Sequence, residues 1–498
     1  MISDCRLIRA IALLTMMLAV AACGGGGGGG GGVTSNPPPP PVDPGDGTGA
    51  IDRGGVASGP IDGFGSVIVN GVHFDTSNAV IIVDGAVATQ ADLAVGQVVL
   101  VVGRFDDDGL NGTAESVEYD ENVEGPIEGG SLDTLAGTFR VLGQTVLVTA
   151  TTSFDDDIQP PGLDGLAEGD FVEVSGLPDA SGRIVATRIE SSIPGAGDEF
   201  EVTGTVESLD TAMMKFNIND LVVDYSAAQL DDFPGGTISD GDLVEAEGSM
   251  LSASGELMAT RVELRDELEA DNSGEDGDDV EVEGLITVFR SQTDFDIGSL
   301  TVHTDSATRF EGGTAADLAV DVRVEVEGQF NSDGSMLADE VEIEAEEDLE
   351  IEATVTEVDV ASGTLTVLDI TVWTEADTRF EDKLDDLDVF SLTDIRPGDF
   401  VEIKGGLDND RFVATRIERD DPEDTVLLQG PAADVALPGF TILGTSVLTT
   451  ANTQFEDENE AGITAETFFA SADGRIVSAS GIWDGTTLVA DEVEFEDD

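Results

Sequence analysis

One short pattern returns six times along this chain, and that recurrence limits the fold more than any other feature. Two glycines stand seven residues apart and enclose alternating apolar residues and glutamates: Gly96/Gly103, Gly169/Gly176, Gly241/Gly248, Gly398/Gly405 and Gly474/Gly481. In the fourth copy Asp321 takes the first glycine's place and Gly328 supplies the second. A polar stretch follows, then Ala-x-x-(Val/Ile)-Glu, closing on Glu118, Glu190, Glu263, Glu342, Glu418 and Glu494. The two halves differ in separation by only a residue or two, all within the polar stretch. This places the length changes at a hairpin tip, where insertions are tolerated.

Each copy spans roughly 70 to 80 residues and alternates with period two in Val, Ile, Phe and Thr. In copy two, Val123–Ile127 reads as a first strand, Phe139–Val148 as a hairpin through Gly143, and Phe171–Gly176 and Ile184–Glu190 as two further strands. Asn70-Gly71 marks the equivalent hairpin turn in copy one. Helical periodicity is confined to Ala315–Leu318 and Gly462–Ala470. Five short strands make a poor open sheet, so the expectation is all-β: six tandem, five-stranded, barrel-like (OB-like) domains, each folding largely alone. The boundaries read from the pattern are 51–121, 122–195, 199–268, 280–346, 349–420 and 424–498, with an acidic linker at 269–279.

Gly63-Phe64-Gly65-Ser66-Val67-Ile68-Val69-Asn70-Gly71-Val72 and Val95-Gly96-Gln97-Val98-Val99-Leu100-Val101-Val102-Gly103 in copy one resemble a domain of bacterial envelope lipoproteins that is known only as a domain of unknown function. The later copies match more loosely, and the resemblance covers nearly all of residues 51–498. It implies no activity.

The first 22 residues carry an address. Arg6 and Arg9 precede an apolar run, Ala10–Ala22, broken only by Thr15. The run is shorter than the roughly 20 apolar residues of a membrane-spanning helix and reads as a signal peptide. Val20-Ala21-Ala22-Cys23 resembles the lipobox of bacterial lipoproteins. That resemblance implies cleavage before Cys23 and lipidation of its thiol; Gly24, not being Asp, implies outer-membrane sorting. Cys5 falls in the removed segment, so the mature chain has no disulfide. Gly24–Gly32 and Pro37–Pro41 belong to a tether at 23–50 that cannot bury a core. Extended, it reaches roughly 90 Å at about 3.3 Å per residue.

The chain carries a net charge of −83; loss of the leader, with Arg6, Arg9 and Asp4, leaves −84. Such a surface excludes ordinary nucleic-acid binding and leaves membrane attachment to the lipid. It serves solubility and protects strand edges, or it holds divalent cations through hard oxygen ligands. Candidate Ca²⁺ residues are Asp106, Asp107 and Asp108 at a hairpin tip, Asp155–Asp157, and Glu275–Asp279. None has the spacing of a calcium-loop motif. The alternation also suggests cross-strand ion pairs Glu173/Arg188, Glu245/Arg261 and Glu402/Arg416, and a like pair Glu325/Glu340 that could recruit a cation.

His73 and His303 lie in different copies, and no nucleophile–base arrangement, His/Cys metal cluster or P-loop is present in the sequence. The expectation is a non-enzymatic envelope protein without a cofactor, with a structural or binding role. Two alternatives stay open: a Ca²⁺-responsive adhesin or matrix component, and a carbohydrate-binding or carbohydrate-active protein with Trp483 as its stacking candidate. Either could engage an envelope or extracellular polymer.

Overall fold

Many strands of the folded part show the two-residue period of a half-buried sheet. In Leu349–Asp359, residues Leu349, Ile351, Ala353 and Val355 are buried, while Glu350, Glu352, Thr354 and Thr356 face outward. The computed structural model describes residues 54–496, apart from 107–108, 156, 193–199, 266–277, 345–348, 385–386, 388, 409–410, 424 and 458–460.

Copy five shows the unit most plainly: β1 Leu349–Asp359, β2 Thr364–Val367, β3 Ile370–Asp382, β4 Phe400–Asp408 and β5 Arg411–Asp420. Hydrogen-bonded ladders run β1–β2–β3–β5–β4 and back to β1. Only β3 and β5 run parallel. This is a closed, OB-like five-stranded barrel, and the same circuit is found in the other copies. In barrel 2 the bridge Ile127↔Val141 closes it. The fold is all-β, with one α-helix among the described residues.

The recurring glycines do two jobs. The first sits in the left-handed region, with φ from 82° at Gly474 to 104° at Gly398. Asp321 holds the same conformation at φ 65°, a departure that Asp tolerates better than most residues. The second faces β5 so closely that an added Cβ would lie 2.0 to 2.5 Å from a β5 carbonyl oxygen in all six barrels. The small residue of the closing pattern is the partner there, as in Gly405↔Ala414 and Gly176↔Ala186.

A β-bulge immediately before the second glycine shifts the β4–β5 register. The expected ion pairs therefore do not stand opposite one another. Glu173 faces Glu190, Glu245 faces Glu263 and Glu402 faces Glu418. Arg188, Arg261 and Arg416 face Ser175, Glu247 and Lys404. Arg261 reaches Glu245 only diagonally, at 3.6 Å. Glu325 likewise faces Glu342 rather than Glu340.

Ala315–Leu318 forms a turn and not a helix. The α-helix, α1 at Ala465–Ser471, lies between β3 and β4 of barrel 6. Phe468 from α1 is fully buried against Phe440, Phe455 and Phe495.

The barrels are joined, not strung. The first half of each β1 has a free side, and the β1 of another barrel fills it. Barrel 1 pairs with barrel 4 in parallel, Gly55–Ser58 against Asp279–Val282. Barrels 2 and 3 pair through Glu124↔Glu201 and Val123↔Val202, and barrels 5 and 6 through Ile351↔Leu428. One continuous core serves barrels 2 and 3, and another serves barrels 5 and 6. Barrels 2 and 3, and barrels 5 and 6, thus lack private cores, whereas the cores of barrels 1 and 4 are separate. The strand that opens barrel 4 begins at Asp279, the last residue of the expected linker; 266–277 lie outside the described residues.

Candidate functional site

Joining barrels 2 and 3 creates a row that no single copy contains. Directly paired residues share a face of the sheet, with Cβ atoms about 4.5 to 5.5 Å apart. Glu190, Glu173, Glu124, Glu201 and Glu247 occupy matched positions on adjacent strands, and Arg261 follows on the next. Like charges directly opposite destabilise a sheet, so a five-glutamate row needs counter-charge or protons.

A cavity of about 400 Å³ opens over the middle of this row. Glu124, Glu201, Glu245, Glu247 and Arg261 line it from barrels 2 and 3. Asp84 and Gly85, from an exposed turn of barrel 1, form its rim, and Glu121 enters from the link between barrels 1 and 2. Six carboxylates therefore converge on a space lined by one guanidinium. Arg261 is already engaged with Glu247, Glu263 and Asp231, and Arg265 touches Glu245 at 3.3 Å.

Glu121 and Glu201 are only 3% and 7% exposed, and Oε2 of the first and Oε1 of the second are buried without a hydrogen-bond partner. Burial, then the neighbouring Glu201, pushes the Glu121 carboxyl well above the usual range. Burial and Glu245 do the same to Glu201. Glu245 is raised to about 8 by burial and Glu247, and Glu173 to about 7 by burial and Glu124.

Two other charged clusters contain cations of their own. Glu350, Glu352 and Glu402 converge on barrel 5, but Lys404 Nζ lies 2.9 Å from Glu402 and 3.5 Å from Glu350. Between barrels, Arg379 meets Asp62 at 3.3 Å, and Ser153 Oγ donates to Glu381 at 2.5 Å. Arg419 holds Asp382 through two bonds of 2.7 and 2.8 Å. The first two contacts tie barrel 5 to barrels 1 and 2, and the third lies within barrel 5.

A family model described as "Domain of unknown function (DUF5666)" matches residues 53–118, 124–190, 203–263, 283–342, 352–418 and 429–494. The chain belongs to this family. No curated protein matches it. Each DUF5666 match ends on the closing glutamate of a copy, and together the six cover the six barrels. The cavity is thus a feature of how DUF5666 units meet, since its walls come from three of them and from Glu121 and Glu201, which fall between matches.

The candidates read from the sequence are placed elsewhere. Cys23, Asp107, Asp108, Asp156 and Glu275–Gly277 lie outside the described residues. Asp106 belongs to its own turn, accepting from Gly109 N through its carbonyl. Asp155 likewise closes a local turn with Ile158. Glu340 is held by Arg309 and does not combine with Glu325. Trp483 is half-buried against the shared core of barrels 5 and 6. The residues missed were Asp84, Glu121, Glu124, Glu201 and Glu247. The outward positions of Glu124, Glu201 and Glu247 were readable from the alternation; that copies two and three would abut through their first strands was not.

Proposed function

We propose that this chain is a lipid-anchored, non-enzymatic cell-envelope protein whose fused DUF5666 barrels serve a structural or binding role. The observation that carries the reading is the edge-to-edge joining of first strands, which fuses the six barrels into three pairs within one compact unit. The charged leader, Val20-Ala21-Ala22-Cys23 and the Gly/Pro tether support attachment of that unit to the outer membrane through lipid. The net charge favours long solubility at a crowded surface over capture of anionic polymers.

Replacing Cys23 with Ser tests the anchor. The expected outcome is a soluble mature protein or an uncleaved precursor. A cleaved Cys23→Ser protein that still sediments with membranes would sink the proposal. A second reading, a Ca²⁺-responsive adhesin or matrix component, is favoured by the carboxylate-lined cavity alone.

A further inference from the structure

We infer that the cavity between barrels 1, 2 and 3 is a Ca²⁺ site, with Glu121, Glu124, Glu201 and Asp84 supplying the ligands and Glu245 and Glu247 the surrounding negative field. Three observations converge on it. The walls offer oxygen donors and a single guanidinium, with no imidazole or thiol, which suits a hard cation and not zinc. Two deeply buried carboxylates, Glu121 and Glu201, each keep an oxygen without a partner beside this space. An unpaired buried carboxylate oxygen is costly, and a bound cation would satisfy both at once.

The pairing register supplies the third observation. Glu124 and Glu201 are direct neighbours on adjacent strands, so two carboxylates from different barrels stand on one face at close range. The row in barrels 5 and 6 is different: Glu352 meets Leu427 there, and Lys404 lies 2.9 Å from Glu402 and 3.5 Å from Glu350. A protein ammonium does in barrel 5 what a free cation does in the cavity. Calcium is favoured over magnesium because it accepts six to eight irregular oxygen ligands, whereas magnesium demands near-octahedral geometry and retains its waters. A cavity of about 400 Å³ also leaves room for water to complete a calcium shell. The exposed turn at Asp84 gives the ion a way in. A site built from three barrels makes calcium a fastener of their junction. This inference is independent of the lipid anchor.

The test uses the full chain, purified in detergent and stripped with a chelator. CaCl₂, MgCl₂ and NaCl are titrated at matched ionic strength and followed by calorimetry and by melting temperature. The expected result is saturable calcium binding, a melting temperature that rises with the logarithm of calcium above Kd, and at least tenfold weaker magnesium binding. Glu121→Gln and Glu201→Gln should each weaken calcium at least tenfold, while Glu350→Gln in barrel 5 leaves it unchanged. Carbodiimide labelling of the unmutated protein gives a readout free of any folding defect: calcium should protect Glu121 and Glu201. Equal melting temperatures in calcium and sodium, magnesium binding as tight as calcium, unchanged affinity in the Gln variants, or labelling indifferent to calcium would each overturn the site.

Discussion

Glu418 and Glu381 sit on neighbouring strands of barrel 5; burial raises both, yet their net shifts are opposite. Glu418, 4% exposed, is raised to about 7: burial drives it up, Arg416 opposes, and Glu381 and Glu402 add to the rise against a further pull from Lys383. Burial also acts on Glu381, but Arg416, Lys383, Arg188 and the Ser153 hydroxyl bring it down to about 2. Glu352 is raised to about 7 by burial and by Glu350, Glu402 and Glu423, with Lys404 opposing. A carboxyl raised in the fold contributes stability that is full below its unfolded value and is lost as pH rises through the folded one. The reverse holds for Glu381, whose contribution disappears as pH falls through about 2. Stability in chelator should therefore fall between about pH 5 and about pH 8, with Glu418 contributing of order 1–3 kcal/mol. Denaturant midpoints across that range check it; Glu418→Gln should flatten the slope, and a pH-independent midpoint in the unmutated protein would show that these carboxyls are ionised throughout.

Strands and turns were largely legible because their causes are local. The Asn70-Gly71 hairpin has both residues at positive φ, 51° and 71°, as a two-residue turn of this kind demands. The glycine spacing encodes a left-handed entry and a close approach to β5. What escaped was the bulge between those glycines, which moves each glutamate from an arginine to another glutamate. A second device rests on the sequence Thr-x-Phe, as at Thr378 and Phe380. The β3–β5 ladder skips between Thr374 and Arg379, and Thr378 Oγ1 donates to the freed Ala414 carbonyl at 2.7 Å. Thr152, Thr308 and Thr453 do the same for Ala186, Ala338 and Ala490. Thr378→Val keeps the shape and removes the donor, so it should cost about 1–3 kcal/mol by leaving a buried carbonyl unpaired. Urea denaturation measures this, and a loss below about 0.5 kcal/mol would mean the hydroxyl is dispensable.

At the scale of the molecule, barrels 2 and 3 share one core, as do barrels 5 and 6. Phe139, Val202, Phe216 and Val244 belong to one core that spans barrels 2 and 3. A fragment of residues 121–265 should melt cooperatively, whereas 121–195 alone exposes half of that core and should be markedly less stable. Circular dichroism melts of the two fragments decide this; equal melting temperatures would restore the picture of independent beads. The cavity was illegible for the same reason that the fragment needs its neighbour. A repeat states its own barrel, but which copies abut, and by which edge, is settled by contacts between residues far apart in sequence.

The parallel seam between Gly55–Ser58 and Asp279–Val282 has a consequence for biogenesis. A chain that emerges N-terminus first can close barrels 2 and 3 on each other as soon as both are out. Barrel 1 must hold one side of its first strand bare until barrel 4 arrives, and a bare edge is a template for mispairing with another chain. The order of assembly is therefore not the order of the sequence: the second and third copies set first, and the first is completed late, after the strand that complements it has been delivered.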